Sequence, residues 1–139
     1  TPINDVFDFC GAFKCDPEKV LYGGPMMGIA VPDLHVPVLK QTNAILALDK
    51  NEVKTAKTTA CIRCGKCTNT CPFGLNPAGI SKAYKNDDVE MLEKLGADIC
   101  MLCGCCSFVC PAKRPLVETN SLAKNMLMAE RAKKKEGNA

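Results

Sequence analysis

Eight of the eleven cysteines occupy the matching positions of two segments that share one pattern. Cys61–Pro72 and Cys100–Pro111 both read C-x-x-C-G-x-C-x-x-x-C-P. Cysteine thiolates at this spacing hold [4Fe–4S] clusters in bacterial-type iron–sulfur domains. One such run can arise by chance, but two copies that both keep the glycine and the proline are a far more specific signal. The two runs therefore predict two cubane clusters.

The other positions of each run suit a loop that wraps a cluster. Gly65 and Gly104 follow the second cysteine, where the chain must turn sharply and bring backbone N–H groups close to sulfur. Pro72 and Pro111 follow the last cysteine, and their fixed φ redirects the chain there. Three cysteines at steps of three residues wrap one side of a cluster, so a fourth thiolate must come from elsewhere.

The fourth cysteine of each run is predicted to ligate the cluster of the other run, as in two-cluster ferredoxins. Crossed ligation makes the clusters neighbours, which suits electron transfer between them. We name the two predicted sets cluster 1 and cluster 2. Cluster 1 takes Cys61, Cys64, Cys67 and Cys110, and cluster 2 takes Cys71, Cys100, Cys103 and Cys106.

Other uses of these cysteines fit the spacing less well. Structural zinc needs four ligands, and zinc ribbons do not use two C-x2-C-x2-C-x3-C runs. A disulfide framework fits poorly with the odd count of eleven. Cys105 would break the three-residue step, so it is predicted not to be a ligand. Cys10 and Cys15 are too few for a third cluster, and Cys10 is expected to be a buried small apolar residue on a helix face.

The composition suits one ordinary domain or two small ones. The chain has 139 residues, of which 47% are apolar and 5% aromatic, and its longest apolar run is too short to span a membrane. Its start does not resemble a secretory signal peptide. The formal charge of +3 becomes about −1 once two clusters, each of net charge −2 with its thiolates, are included. We therefore expect no nucleic-acid partner.

Residues 1–48 are predicted to be a small mixed α/β segment. A helix is expected over residues 1–13, with Val6, Phe9, Cys10 and Phe13 on its apolar face. The loop Gly23–Gly28 matches no nucleotide-binding motif and predicts a tight turn that exposes two methionines. Residues 49–59 are polar and predict a linker. Strands are expected at Lys19–Tyr22, Ile29–Val31, Val36–Leu39 and Ala44–Leu48.

The remainder of the chain predicts a mainly helical domain, so the fold class is α+β. Residues 76–96 show helical spacing broken at Asn86-Asp87-Asp88, which predicts two helices with a cap between them and a stop at Gly96. A further helix is expected over residues 116–132, with Leu122, Met126 and Ala129 on one side. We place a ferredoxin domain at residues 60–118 and a C-terminal helix with a basic tail at residues 119–139.

The sequence resembles RnfC, a peripheral component of the Rnf electron-transport complex. The resemblance covers nearly the whole chain, and its most particular parts are the run Tyr22–Pro32 (YGGPMMGIAVP) and the run Cys103–Leu116 (CGCCSFVCPAKRPL). It implies a location on the cytoplasmic face of the cell membrane. The chain is then expected to be the C-terminal part of a longer protein, with a partial β-grasp-like (SLBB) segment at residues 1–48.

The resemblance also implies a function. Such a complex is an ion-translocating ferredoxin:NAD oxidoreductase, which couples electron flow to Na⁺ or H⁺ translocation. The two clusters would relay single electrons between a flavin and NAD site and the next electron carrier of the complex. FMN and NAD are expected in a region N-terminal to this chain, and no catalytic residue is assigned within it. Expected partners are the other subunits of the complex and, indirectly, ferredoxin-type carriers.

Two alternatives remain open. One is the iron–sulfur part of a soluble flavin-dependent cobalamin reductase with the same modular plan. The other is a free-standing ferredoxin carrier, although the predicted helices between the runs and the first 48 residues fit this alternative poorly.

Overall fold

The structure is a computed structural model that describes residues 1–53 and 56–136. The chain divides into two compact units, one spanning Thr1–Ala56 and the other beginning at Lys57. The described residues combine helices with a small antiparallel sheet, which confirms the mixed α+β class. No helix among the described residues is both long and apolar enough to cross a membrane.

The described part of the first unit contains a sheet of order β2-β1-β3, antiparallel throughout. Its strands are β1 (Lys19–Tyr22), β2 (Ile29–Ala30) and β3 (Ile45–Leu48). The central strand β1 is paired on both edges and holds the buried residues Val20 and Leu21. Three of the four predicted strands are therefore present. The fourth, Val36–Leu39, contributes an isolated bridge at Pro37, whose missing N–H prevents it from donating to a ladder.

Helix α1 spans Ile3–Phe9 and fully buries only its first residue, while Val6 and Phe13 of the predicted apolar face are half-buried. Ile3 is fully buried, and its backbone amide donates to the carbonyl of Val36 at 3.1 Å. Phe9 is 93% exposed and Cys10 is also exposed, so the expectation of a buried Cys10 is wrong. The helix has only seven residues, and its backbone anchor lies at its first turn, so the later turn extends away from this anchor.

A tight turn joins β1 to β2 as predicted. The amide of Gly28 donates to the carbonyl of Gly24 at 2.7 Å, and a Cβ atom on Gly28 would lie only 2.5 Å from the same oxygen. Glycine is therefore required at this close approach. Met26 and Met27 are exposed on the turn, as the sequence predicts.

The described part of the second unit is helical. Two helices occupy the spacer between the cysteine runs, as predicted, and the Asp88 side chain caps the second by accepting from the Met91 amide at 2.9 Å. Gly96 follows with a φ of 66°, which suits glycine at a helix end. The helices are α2 (Lys66–Asn69), α3 (Pro77–Lys85), α4 (Val89–Lys94), α5 (Cys105–Phe108) and α6 (Leu116–Glu136), with a 3₁₀ turn at Ala97–Ile99.

Helix α6 packs on α3 and α4 through a stripe that differs from the prediction. The buried residues of this stripe are Leu116, Asn120, Ala123 and Leu127. Met126 packs against the core, but Leu122 is 51% exposed and Ala129 is exposed, so the predicted face is wrong at two of its three residues. Apolar residues lie on several sides of α6, and packing against the neighbouring helices selects a stripe that includes a polar residue.

Candidate iron–sulfur centre

The two cysteine runs have the same backbone conformation, with each position recurring 39 residues later, as Cys61 and Cys100 show. Gly65 and Gly104 have φ values of 73° and 82° and precede the short helices α2 and α5. The residue before each second cysteine also has a positive φ, 57° at both Arg63 and Leu102. The sequence repeat is therefore a structural repeat.

The repeat continues past the fourth cysteine of each run. The amide of Gly74 donates to the carbonyl of Cys71 at 3.0 Å, and the amide of Lys113 donates to the carbonyl of Cys110 at 3.1 Å. Gly74 and Lys113 both have a positive φ. Each turn then leads into a longer helix, which is α3 after the first run and α6 after the second. The short helices α2 and α5 of the two runs are in contact. The two runs thus lie side by side.

A narrow pocket in the second unit brings together cysteines from both runs. The lining includes Cys71 of the first run with three cysteines of the second, which are the four residues predicted for cluster 2. Cys105 also lines this pocket. The structural repeat distinguishes Cys105 from its neighbour, because Cys105 corresponds to Lys66 and Cys106 corresponds to Cys67. The cysteines in the lining are Cys71, Cys100, Cys103, Cys105 and Cys106.

The residues predicted for cluster 1 are placed differently. Cys110 is buried in an apolar cluster with Cys106 and Leu116, and the half-buried Cys67 packs against it. Cys67 and Cys110 therefore lie at one core, although they belong to different runs. Cys61 and Cys64 are exposed on the loop that precedes α2.

Two of the thiols that line the pocket have a raised pKa. Burial raises the pKa of Cys106 to about 11, since an apolar environment disfavours the thiolate. A hydrogen bond with the Cys103 thiol raises the pKa of Cys105. In the metal-free chain the Cys106 thiol is therefore protonated at neutral pH, and metal binding would displace its proton.

The donor chemistry of the pocket fits an iron–sulfur cluster. Thiolates are the soft ligands that iron–sulfur clusters use. Among the described residues, no group of three or more His, Cys, Asp or Glu side chains is placed to hold one metal ion. A cubane does not need that arrangement, because each thiolate binds a different iron atom.

Two residues of α6 at this centre were not predicted from the sequence. Asn120 lines the pocket, is 1% exposed, and its Oδ1 atom has no hydrogen-bond partner in the described part of the chain. The ammonium group of Lys124 donates to the backbone carbonyl of Cys100 at 2.9 Å. Asn120 and Lys124 are four residues apart, so they share one helix face. The four-residue spacing of Asn120 and Lys124 is the only sign in the sequence that they act together. It points to the cysteine runs only once the buried face of α6 is known.

Comparison with known proteins agrees with this geometry. A family model described as a 4Fe-4S dicluster domain matches residues 57–114, which include both cysteine runs. The C subunit of an ion-translocating oxidoreductase complex from Rhodobacter capsulatus is 43% identical over 134 residues, which are 96% of this chain and 26% of that protein. The C subunit of a Na⁺-translocating ferredoxin:NAD⁺ oxidoreductase complex from Acetobacterium woodii is 42% identical over 132 residues, 95% of this chain and 30% of that protein.

A third relative is shorter in its match but more similar. The C subunit of a proton-translocating ferredoxin:NAD⁺ oxidoreductase complex from Clostridium ljungdahlii is 46% identical over 87 residues, 63% of this chain and 19% of that protein. The chain thus spans 30% or less of the length of these three relatives.

The cysteine repeat, the dicluster match and these relatives support an iron–sulfur electron-transfer role. Over nearly its whole length, the chain is similar to the C subunits of ion-translocating oxidoreductase complexes.

Proposed function

We propose that the chain is a two-cluster electron relay within such a complex. The observation that carries this proposal is the pocket in which Cys71 of the first run joins Cys100, Cys103 and Cys106 of the second. Crossed ligation requires this arrangement, and an independent site for each run does not. By the structural repeat, Cys110 takes the corresponding place with Cys61, Cys64 and Cys67.

The chain's own residues would hold and tune the clusters. When bound, a [4Fe–4S] cluster supplies a reversible one-electron carrier. The eight thiolates fix the two sites next to each other, because α2 and α5 are in contact and each run contributes to both sites. Backbone N–H groups of the two loops and burial by α6 set the electrostatic environment. This role needs no general acid, base or nucleophile.

The setting of this relay is also part of the proposal. The relatives are named as subunits of ion-translocating oxidoreductase complexes, two of them ferredoxin:NAD⁺ oxidoreductases. We assign residues 1–48 to a partial β-grasp-like segment, 49–59 to a linker, 60–118 to the ferredoxin domain and 119–139 to a C-terminal helix and basic tail. FMN and NAD would bind outside this segment, and the complex would place it at the cytoplasmic face of the membrane.

The first test is the cluster content of the chain. We expect the anaerobically reconstituted protein to bind about eight iron atoms and about eight inorganic sulfides, as two [4Fe–4S] clusters require. After reduction with dithionite, electron paramagnetic resonance should show two interacting clusters. A control that replaces both Cys10 and Cys15 by Ser should bind the same amount of iron. A colourless protein that binds two zinc ions would overturn the assignment.

The second readout of this test concerns the relay within the intact complex. Cys103→Ala should stop electron transfer between NADH and ferredoxin, because the chain of carriers is broken. Reduction of an artificial dye by NADH should persist, since a flavin site outside this chain carries that reaction. If the variant lacks cluster 2 and still transfers electrons to ferredoxin at the wild-type rate, cluster 2 is not part of the route.

A further inference from the structure

The Asn120 side chain is a buried amide whose oxygen has no partner among the described residues. It is 1% exposed, and its Oδ1 atom makes no hydrogen bond to any residue that the structure describes. An amide buried in this way lowers stability unless another group satisfies it, so a native protein rarely keeps one without a reason. The missing partner must be sought in the space that the side chain faces.

That space is the pocket of the predicted cluster 2 ligands. Asn120 lines it together with Cys71, Cys100, Cys103 and Cys106. Thiolates and cluster sulfides accept hydrogen bonds and have none to donate, so they would pair with the amide N–H group. The oxygen and nitrogen of an asparagine amide are interchangeable by rotation of the side chain, so the NH₂ group can point into the pocket.

Helix α6 fixes the position of this amide. Leu116 and Leu127, on the same buried stripe, are 2% and 1% exposed. One turn after Asn120, Lys124 binds the carbonyl of Cys100 at 2.9 Å and ties the helix to the loop that carries the second run. The amide is therefore held at the pocket by packing on both sides and by a charged hydrogen bond.

We propose that the Asn120 amide donates a hydrogen bond to a sulfur of cluster 2 and raises the reduction potential of that cluster. This inference rests on the proposed function. Reduction by one electron changes the net charge of a four-thiolate cluster from −2 to −3, with no bond made or broken and no proton taken up. A donor N–H group stabilises the more negative state, so it favours reduction.

The effect should be confined to cluster 2. The residue of α3 that corresponds to Asn120 in the structural repeat is Ser81, which is also 1% exposed. Its hydroxyl already accepts a hydrogen bond from the Arg114 guanidinium at 3.4 Å. The first half of the repeat therefore has no unpartnered amide at this position, and a change at Asn120 should leave cluster 1 unaltered.

The experiment is a potentiometric titration of the reconstituted chain, followed by electron paramagnetic resonance. Asn120→Leu keeps nearly the same shape and removes the donor. We expect it to disfavour reduction of cluster 2 about tenfold, which for one electron is about 59 mV to lower potential. Asn120→Met also removes the donor and has a similar length, so it should lower the potential of cluster 2 in the same direction. Asn125→Leu, on an exposed position of the same helix, should change neither potential.

The outcomes separate this inference from the proposed function. If the wild-type chain forms no clusters, the proposed function fails. If both clusters form and neither Asn120 variant lowers the potential of cluster 2, the inference fails and the proposed function stands. Equal shifts of both clusters would also overturn the inference, because the effect would then be general. Loss of cluster 2 in both Asn120 variants, but not in Asn125→Leu, would assign Asn120 to assembly instead and overturn its tuning role.

Discussion

The two halves of the cysteine repeat have the same backbone and different surroundings. In the first run, Cys61 and Cys64 are exposed, whereas in the second Cys106 and Cys110 are buried. The motif itself cannot cause this difference, because three positive φ positions and the turn after the fourth cysteine recur in both loops. The elements after each run differ, with nine residues in α3 and 21 in α6. The long helix α6 covers the second run and places the polar groups of Asn120 and Lys124 beside it.

In both runs the motif determines how many cysteines the loop presents and how the loop is folded. The helix that follows each run determines how deeply those cysteines are buried and which polar groups lie near them. Lys124 and Asn120 of α6 lie at the second run. At the first run, the hydroxyl group of Ser81 on α3 accepts a hydrogen bond from the Arg114 guanidinium. Under the proposed assignment, two clusters that both have four cysteine ligands should therefore differ in potential and in stability.

The largest expected effect comes from removing the fourth cysteine of either run. Cys71→Ala should abolish cluster 2 and leave the same residual spectrum as Cys103→Ala. Cys110→Ala should abolish cluster 1 and match Cys64→Ala. Iron content should fall from about eight to about four atoms in each case, measured by iron analysis and electron paramagnetic resonance.

The matched control for this prediction is Cys105→Ala, which should keep both clusters because Cys105 corresponds to Lys66 in the repeat. If Cys71→Ala gave the spectrum of Cys64→Ala, each run would hold its own cluster and the crossed assignment would be wrong.

An intermediate effect should appear when the clusters are attacked chemically. Ferricyanide with a chelator should remove cluster 1 several-fold faster than cluster 2, because Cys61 and Cys64 are exposed and the second site lies under α6. The decay of visible absorption and of the two resonance signals with time measures both rates. Equal rates would show that the difference in exposure does not protect the second site.

The smallest expected effect concerns the attachment of α6 near the second run. The Arg131 guanidinium lies 2.8 Å from Asp98 and 2.8 Å from Glu93, and its hydrogen bond lowers the pKa of Asp98. A lowered pKa means that the pairing stabilises the fold above the ordinary pKa of aspartate, about 4, and that this stabilisation is lost as the pH falls through the lowered value. Asp98→Asn should therefore lower the melting temperature at pH 7 by about 2 °C or less, as expected for a partly exposed pair.

Thermal melting under argon, followed by circular dichroism, measures this difference between Asp98→Asn and wild type. The difference should shrink below about pH 4 as Asp98 becomes protonated. Glu130→Gln removes an exposed pair with Lys133 on the same helix and should leave the melting temperature unchanged. A difference that grew as the pH fell would contradict the assigned role of the ion pair.

Local features of this chain were predictable because their causes lie in adjacent residues. The glycine after each second cysteine predicts the left-handed turn at Gly65 and Gly104, and Asp88 predicts the start of α4. Strand β1 was predicted with its exact bounds from a short run of β-branched and aromatic residues.

Features that depend on distant contacts were not predictable in this way. Helix α6 offers apolar residues on more than one side, and only its packing on α3 and α4 decides that Leu127 is buried and Leu122 is exposed. Asn120 could not be recognised as part of the candidate site while the wrong face was assumed. The exposure of Cys10 has the same origin, since contacts at the start of α1 determine which of its turns is covered.

Crossed ligation also has a consequence for the order in which the protein is made. Synthesis proceeds from the N-terminus, so the first run is complete at Cys71, long before the second begins at Cys100. Under the proposed assignment the first run then presents three ligands for one cluster and one ligand for the other. The set for cluster 2 is complete at Cys106 and the set for cluster 1 at Cys110. Both sites would therefore become available for cluster insertion at almost the same moment, near the end of synthesis of the ferredoxin domain.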